Sequence, residues 1–313
     1  MRYRDFGATG LTVSEIGLGA WQLGNHADWA DGPDDAESLA IVHAALDGGV
    51  TFFDTAPGYA GGHSERLLGG ALRGRRDEVV LCTKFGHDAQ GRSDFSPGAL
   101  RGSIENSLRQ LRTDVLDIVL LHNPPREMYD GTKAAHYEIL EDLKSAGLIR
   151  AYGASLDWPD EVETLVSTTN SRAMEVYLSV FHQETWTATE KAGAAGMGSA
   201  VKVPLESGWL AGRYDASTVF TDLRSRWSPE EVRRRADLAA RFRDALPVGL
   251  APAHAALRFV LANTGVSTVI PGAKSVAQLT ANLAAADADL PADVAAALQA
   301  LFADHIEGDP LRW

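Results

Sequence analysis

The order of apolar runs along the chain is the feature that most restricts its fold. Eight short runs are apolar over nearly every residue, and most are followed by a segment with helical spacing. Strands of this kind, separated by helices, are typical of a parallel sheet that is buried on both faces. The predicted strands cover residues 16–19, 50–54, 79–84, 116–122, 149–153, 174–178, 200–203 and 267–270.

Capping patterns mark where some of the helices begin. Ser228, followed by Pro229 and by Glu231 three residues on, forms a capping box with proline at the first helical position. It predicts an extra helix inside the long insertion after the seventh strand. Ser275 and Gln278 repeat the pattern and predict the start of the last barrel helix.

Eight such units can close into a barrel or lie open as a doubly wound sheet. An open dinucleotide-binding sheet has a G-x-G-x-x-G turn after its first strand, but here Gln22 stands where the third glycine would follow Gly17 and Gly19. Residues 2–4 and 12–14 have the pattern of a small hairpin. We therefore predict an α/β chain with one (β/α)8 TIM barrel domain over 1–313, an N-terminal β-hairpin plug, and extra helices in late loops and at the C-terminus.

Composition restricts the partners and the cellular setting. The chain has 313 residues and a formal net charge of −13, so a polyanion such as nucleic acid is a poor partner. It has one cysteine, its first residues lack the apolar segment of a signal peptide, and no apolar run approaches the roughly 18–20 residues that cross a bilayer. We expect a cytoplasmic protein with no membrane or nucleic-acid partner. No histidine pattern predicts a metal site.

Three polar side chains stand where apolar strands end. Asp54, Lys84 and His122 close the second, third and fourth strands, and Tyr59 lies in the loop after Asp54. Catalytic residues of a barrel lie at these carboxyl ends. An unpaired buried charge is costly, so these neighbouring side chains are stabilised by meeting at one site.

Together the four groups suit the interconversion of a carbonyl and an alcohol. A phenol has a pKa near 10, and an ammonium beside Tyr59 is expected to lower that pKa. Asp54 would hold Lys84 in place, and His122 would orient a polarised carbonyl. Each residue alone has an ordinary structural explanation, such as a turn aspartate or a lysine reaching solvent. The convergence on consecutive strand ends favours catalysis.

Seven segments, in order and over nearly the whole chain, resemble the aldo-keto reductase superfamily. They are GLGAW (17–21), FDTAPGY (53–59), TKFG (83–86), LLHN (120–123), YGAS (152–155), VPL (203–205) and IPGAKS (270–275). The resemblance implies a nicotinamide cofactor extended across the barrel top. It also implies that Tyr59 is the general acid, tuned by Lys84 and Asp54, that His122 orients the substrate, and that Trp21 lines its pocket.

The resemblance also implies where the cofactor and substrate bind. Lys274 and Ser275 at a helix start would hold a 2′-phosphate, which favours NADP(H) over NAD, although NAD is possible. The expected cofactor contacts are Gly19, Ala20, Trp21, Asp54, Ser155, Glu175, Lys202, Val203, Leu205, Ser207, Gly272, Lys274, Ser275, Gln278 and Asn282. The expected substrate pocket consists of Trp21, Tyr59, His122, Trp209 and Trp227.

Three positions around the expected nicotinamide depart from the common pattern of that family. Leu156 stands where asparagine is usual, Glu175 where glutamine is usual, and Lys202 where an aromatic residue often stacks. Because Glu175 and Lys202 lie on adjacent strands and carry opposite charges, we predict an ion pair between them.

Several alternatives stay open from the sequence alone. The substrate is an aldehyde, a ketone or the alcohol, with a sugar or other polyhydroxylated compound preferred, and loops 122–133, 206–227 and 304–313 would select it. Arg224 and Arg226 could meet a hydroxylated or anionic substrate, but we expect both on the surface. A redox-sensing regulatory subunit with slow turnover would use the same fold. A barrel hydrolase with Asp54 and Glu175 as paired carboxylates is a third class, and no oligomeric state is predicted.

Overall fold

Eight parallel strands form the centre of the computed structural model, which describes residues 1–25, 27–29, 31–287 and 289–311. Every predicted strand is confirmed, with ends that shift by three residues at most. The strands are β3 (Leu18–Gly19), β4 (Phe52–Asp54), β5 (Val80–Phe85), β6 (Leu116–Leu121), β7 (Ile149–Leu156), β8 (Ala173–Tyr177), β9 (Gly198–Lys202) and β10 (Thr268–Val269).

The sheet follows chain order and closes on itself. Each strand from β3 to β10 pairs with the next one in the sequence. Parallel bridges from Ile16 to Val269 and from Gly19 to Gly272 join the first barrel strand to the last. The closed barrel is therefore confirmed, and the open doubly wound alternative is excluded.

The described residues form ten α-helices, most of which surround the barrel. They are α1 (Asp35–Asp47), α2 (His63–Ala71), α3 (Pro97–Leu111), α4 (His136–Ser145), α5 (Pro159–Thr168), α6 (Trp186–Ala194), α7 (Pro229–Asp244), α8 (Pro252–Leu261), α9 (Val276–Leu283) and α10 (Ala292–His305). Within this described part, none combines the length and the apolar character that a bilayer span requires.

Two of these helices begin as their capping residues predict. The Ser228 side chain accepts a hydrogen bond from the Glu231 backbone, and the Glu231 carboxylate accepts one from the Ser228 backbone, at the start of α7. Ser275 Oγ accepts a hydrogen bond from the Gln278 backbone at the start of α9. Each cap satisfies a helix N–H that has no partner within the helix.

The N-terminal hairpin covers the amino-terminal end of the barrel, as predicted. Strands β1 (Tyr3–Asp5) and β2 (Thr12–Ser14) pair antiparallel. Phe6, in the turn between them, stacks on Phe52 of β4 with 5.5 Å between ring centroids, and both side chains are buried. Because full burial of a phenylalanine contributes roughly 1.5–3 kcal/mol, this contact anchors the hairpin.

A long insertion follows β9 and passes over the carboxyl end of the barrel. Its first turn, Glu206–Ala211, contains Glu206 and Ser207 with φ of 50° and 52°, a left-handed backbone that is unusual for these residues. The buried Glu206 carboxylate accepts hydrogen bonds from the hydroxyls of Tyr177 (2.8 Å) and Ser179 (2.5 Å). These bonds tie the insertion to the end of β8 and hold the strained turn in place.

Candidate active site

A cavity of about 340 Å³ opens at the carboxyl ends of the strands. Most of the residues that the sequence assigns to a site lie around it. The lining includes Gly19, Trp21, Asp54, Tyr59, His122, Ser155, Glu175, Lys202, Val203, Leu205, Ser207, Gly272, Lys274, Gln278 and Asn282. Strand ends and the loops after them therefore converge on one place, as the barrel geometry requires.

Asp54 and Lys84 form an ion pair at the floor of this cavity. Lys84 Nζ lies 2.6 Å from both carboxylate oxygens of Asp54 and donates a further hydrogen bond to the Thr55 carbonyl at 3.0 Å. The Lys84 side chain has no exposed surface. Strands β4 and β5 are neighbours, which brings the two side chains together beneath the cavity.

Tyr59 and His122 lie above this ion pair. Lys84 Nζ is 5.1 Å from the centroid of the Tyr59 ring, and the edge of His122 faces that ring with 5.7 Å between centroids. Trp21 stacks on Tyr59 with 6.0 Å between ring centroids. The four candidate catalytic residues are thus brought together within one side-chain cluster.

Burial shapes the protonation of this cluster. Burial opposes a charge on Lys84, but Asp54 and Glu175 together raise its pKa well above the usual value, so the ammonium persists. Burial, reinforced by Glu175 and opposed by Lys84, raises the pKa of Asp54 to about 7. Burial and the neighbouring Lys84 lower the pKa of His122 well below 6.5, so its imidazole is neutral at pH 7.

The environment of Tyr59 corrects one expectation. Lys84 does act to lower the pKa of the phenol, as predicted, but burial is the larger effect and raises that pKa above 10. Asp54 and Glu175 add to the rise because a phenolate beside two carboxylates is disfavoured. Tyr59 is therefore a protonated phenol at neutral pH, the form that donates a proton.

Glu175 binds a different lysine from the one predicted. Its Oε2 lies 3.1 Å from Lys84 Nζ, and the predicted ion pair with Lys202 is wrong. The side chain of Glu175 points into the barrel, where Lys84 is the nearest cation. Asp54 and Glu175 therefore share one ammonium, an arrangement that does not support the paired carboxylates of a hydrolase.

Lys202 is held by three oxygens at the mouth of the barrel. Its Nζ lies 2.8 Å from Asp157 Oδ1, Asn123 Oδ1 and Ser155 Oγ. The Ser155 hydroxyl in turn faces Glu175 Oε1 at 3.5 Å. Asn123 and Asp157 were missed by the sequence analysis, although each follows the end of a barrel strand, the same signal that identified Asp54.

The far end of the cavity is formed by the start of α9 and by the loop after β3. Lys274 pairs with Asp31, and its Nζ lies 4.8 Å from the ring centroid of Trp29. Gln278 Oε1 accepts a hydrogen bond from the Lys274 backbone at 3.1 Å. Asn282 Nδ2 donates to the Gly272 carbonyl at 3.3 Å. Trp29 and Asp31 are further lining residues that the sequence analysis did not identify.

Arg224 is buried, and the expectation that it lies on the surface is wrong. Its Nε donates to Asp222 at 2.9 Å, and its guanidinium lies 4.7 Å from the Phe220 ring centroid, so the insertion folds around it. It lines the same end of the cavity as Lys274. Arg226 is exposed, as expected.

Besides Lys84, which lies beneath the cavity floor, four predicted site residues do not line the cavity. Trp209 has no exposed surface and Trp227 is 7% exposed, because the two indoles pack on each other, 6.3 Å apart, inside the insertion. Ala20 is buried, and the Ser275 hydroxyl accepts the hydrogen bond that caps α9. Trp313, in the predicted C-terminal loop, lies outside the described residues.

The described residues contain no cluster of three metal-ligating side chains. The charged groups of the cavity instead bind one another, as in the pairs of Lys84 with Asp54 and of Lys202 with Asp157. The floor holds a protonated phenol beside an ammonium, and the far end carries cationic side chains. This arrangement can transfer a proton at one end and bind an anionic group at the other.

The sequence model of the aldo/keto reductase family matches residues 15–303. An aldo-keto reductase of Bacillus subtilis is 34% identical in a match that covers 59% of this chain and 56% of that protein. A D-threo-aldose 1-dehydrogenase of Pseudomonas is 29% identical over 93% of this chain and 94% of its own. A probable voltage-gated potassium channel subunit beta of Oryza sativa is 28% identical, with 92% of both chains covered.

Solved structures agree with these matches. An aldo-keto reductase of Bacillus halodurans, in its holo form, superposes with a TM-score of 0.80 at 29% identity over 96% of both chains. A glycerol dehydrogenase of Gluconobacter oxydans has a TM-score of 0.80 at 25% identity and covers 97% of this chain and 96% of its own. The barrel fold therefore has counterparts among solved structures.

Proposed function

We propose that this chain, which belongs to the aldo/keto reductase family, is an NADP(H)-dependent oxidoreductase that interconverts an aldehyde or ketone and its alcohol. The observation that carries the proposal is the convergence of Asp54, Tyr59, Lys84 and His122 at the floor of one cavity. The Lys84 ammonium, 2.6 Å from Asp54 and 5.1 Å from the Tyr59 ring centroid, is the centre of that cluster.

Each of these residues has a defined part in the proposed reaction. Tyr59 gives its phenolic proton to the developing alkoxide in reduction and accepts it back in oxidation. Lys84 stabilises the phenolate that forms, and Asp54 keeps Lys84 in position. His122, neutral because of its lowered pKa, donates a hydrogen bond that orients the carbonyl oxygen. The bound nicotinamide would supply or accept the hydride.

The cavity fits an extended polar cofactor. Gln22 Oε1 and Ser207 Oγ are buried and have no hydrogen-bond partner in the part of the chain that the structure describes. Both atoms belong to lining residues, so a polar ligand would satisfy them. At Gly272 a Cβ would lie 1.9 Å from Gln22 Oε1, so any larger residue there would displace the Gln22 side chain. Ser155 and Glu175 would face the nicotinamide end.

Lys274 and Arg224 support the phosphorylated form of the cofactor. Both cations line the end of the cavity away from Tyr59. Lys274 stands at the start of α9, where the positive end of the helix dipole favours an anion. A 2′-phosphate would replace the Asp31 carboxylate as the partner of Lys274.

The mouth of the barrel supports a hydroxylated substrate, such as a sugar. Asn123, Asp157 and Lys202 offer hydrogen-bond donors and acceptors beside Tyr59 and His122. The Pseudomonas relative is by name an aldose dehydrogenase. We further propose that the whole chain is one barrel domain that acts on small molecules in the cytoplasm.

A redox-sensing regulatory subunit is the second candidate, because a rice relative is by name a probable potassium channel subunit. The two candidates differ in turnover. NADPH oxidation should be followed with a panel of aldehydes and ketosugars, and NADP+ reduction with aldoses and polyols. Turnover of any member supports the enzyme, whereas tight cofactor binding without turnover across the panel supports the sensor.

A further inference from the structure

Glu175 is a buried carboxylate in the wall of the active-site cavity. It is 3% exposed and lies near the end of β8, where its Oε2 is 3.1 Å from Lys84 Nζ. Its other oxygen, Oε1, lies 3.5 Å from Ser155 Oγ. The same Ser155 hydroxyl accepts a hydrogen bond from Lys202 Nζ. When ionised, this carboxylate adds one negative charge to the wall of the cavity.

The charges around Glu175 do not cancel. Lys84 is one cation between two carboxylates, Asp54 and Glu175. Lys202 is compensated by Asp157 at 2.8 Å and leaves no excess positive charge. The imidazole of His122 is neutral because burial and the nearby Lys84 lower its pKa. Once Asp54 is ionised, this end of the cavity therefore carries a net charge of minus one.

We propose that Glu175 makes the site select the oxidised, positively charged nicotinamide over the reduced, neutral one. The inference rests on the proposed function, because it concerns the nicotinamide end of the same cavity. A negative charge in a buried site attracts the pyridinium ring and gives no such attraction to the dihydropyridine. Selection for NADP+ means that the protein, at equal cofactor concentrations, is loaded chiefly for oxidation of an alcohol.

The size of the effect follows from Coulomb's law. For an effective dielectric constant near 20 and a separation of about 6–10 Å, one charge changes the ratio of the two affinities by roughly 10- to 100-fold. The rest of the cofactor is identical in the two forms. Contacts with the phosphates and the adenosine therefore cancel in the ratio, which isolates the charge at the nicotinamide end.

The test is a comparison of dissociation constants for NADP+ and NADPH at pH 8, where Asp54 is chiefly ionised because its pKa is about 7. Titration calorimetry on the full chain gives both constants without any turnover. Glu175→Gln removes the charge and keeps the size of the side chain, and Glu175→Asp retains the charge. Asp31→Asn removes an equal charge beside Lys274 at the other end of the cavity.

The expected result is tighter binding of NADP+ than of NADPH by the wild type, and a ratio that shifts toward NADPH by roughly 10- to 100-fold in Glu175→Gln. Glu175→Asp should keep most of the preference, and Asp31→Asn should change both constants by the same factor. An unchanged ratio in Glu175→Gln, or an equal shift in Asp31→Asn, would overturn the inference and leave the proposed function intact. Failure of both cofactor forms to bind would overturn the proposed function as well.

Discussion

Glu175 Oε2 lies 3.1 Å from Lys84 Nζ, the same ammonium that pairs with Asp54 at 2.6 Å. Lys84 is fully buried and holds together two carboxylates from strands that are not neighbours. The pKa values of Asp54 and Tyr59 both respond to this arrangement, because Glu175 raises each of them while Lys84 lowers each. The cluster of Asp54, Tyr59 and Lys84 is therefore coupled electrostatically to Glu175 in the cavity wall.

Lys84→Met should destabilise the fold as well as abolish turnover. The change leaves Asp54 and Glu175 buried near each other without their shared cation. Removing one partner of a buried ion pair costs about 3–5 kcal/mol, so the free energy of unfolding in urea should fall by that amount. Adding Asp54→Asn and Glu175→Gln should restore most of the stability but none of the turnover. A triple variant no more stable than Lys84→Met would contradict this account.

Asp54 should make stability depend on pH. Its folded pKa, about 7, lies above the ordinary aspartate value of 3.8, so the folded protein binds more protons than the unfolded chain between those values. The contribution of Asp54 to the stability of the folded protein is therefore complete below pH 4 and is lost as pH rises through about 7. The groups that face it are Lys84, Glu175, Tyr59 and Cys82.

The measurement compares urea unfolding of the wild type and of Asp54→Asn at pH 5 and pH 8. From pH 5 to pH 8 the free energy of unfolding of the wild type should fall by on the order of 2–4 kcal/mol relative to that of the variant. Groups elsewhere titrate in both proteins and cancel in the comparison. An equal change in the free energy of unfolding for both proteins would show that folding does not raise the pKa of Asp54.

Lys274→Met should weaken the binding of NADP+ much more than that of NAD+. Loss of the cation should weaken NADP+ by roughly 10- to 100-fold, the scale of a charge-assisted contact with phosphate, and should weaken NAD+ little. Lys133→Met is the matched control, since Lys133 pairs with Asp130 on the surface and does not line the cavity. Equal losses for NADP+ and NAD+ in Lys274→Met would remove the argument for a 2′-phosphate site.

Gly7→Ala should disrupt the hairpin that covers the barrel. Gly7 has a φ of 53°, and a Cβ there would lie 2.3 Å from the Gly198 nitrogen. Gly10→Ala is the matched control, because Gly10 also has a positive φ but no atom lies within 4 Å of its added Cβ. Thermal unfolding should show that the free energy of unfolding falls by about 1–2 kcal/mol in Gly10→Ala and by at least twice that amount in Gly7→Ala. Equal losses would mean that the close approach to Gly198 is unimportant.

The barrel was predictable because its signals are local. Continuous apolar runs specify strands buried on both faces, and capping residues such as Ser228 mark where helices begin. The candidate site was predictable for a related reason. A charged side chain at the end of an apolar strand is costly unless it finds a partner, and Asp54 and Lys84 meet this condition together.

The parts that were not predictable depend on tertiary packing. Strand adjacency suggested that Glu175 pairs with Lys202, but the direction of the Glu175 side chain brings it to Lys84 instead. Arg224 and Trp209 were expected to be accessible. Both are buried, because the insertion after β9 folds on itself without a periodic pattern that would reveal its inner face.

Tyr59→Phe is the most direct test of Tyr59 as the proton donor. Turnover of the best substrate and the dissociation constant for NADPH should be measured together, with Tyr137→Phe, a buried tyrosine whose hydroxyl bonds to the Met128 carbonyl, as the control. We expect Tyr59→Phe to lower turnover by about 10²–10⁴-fold and to leave NADPH binding nearly unchanged, while Tyr137→Phe keeps both. Near-normal turnover by Tyr59→Phe would contradict the assignment of Tyr59 as the proton donor.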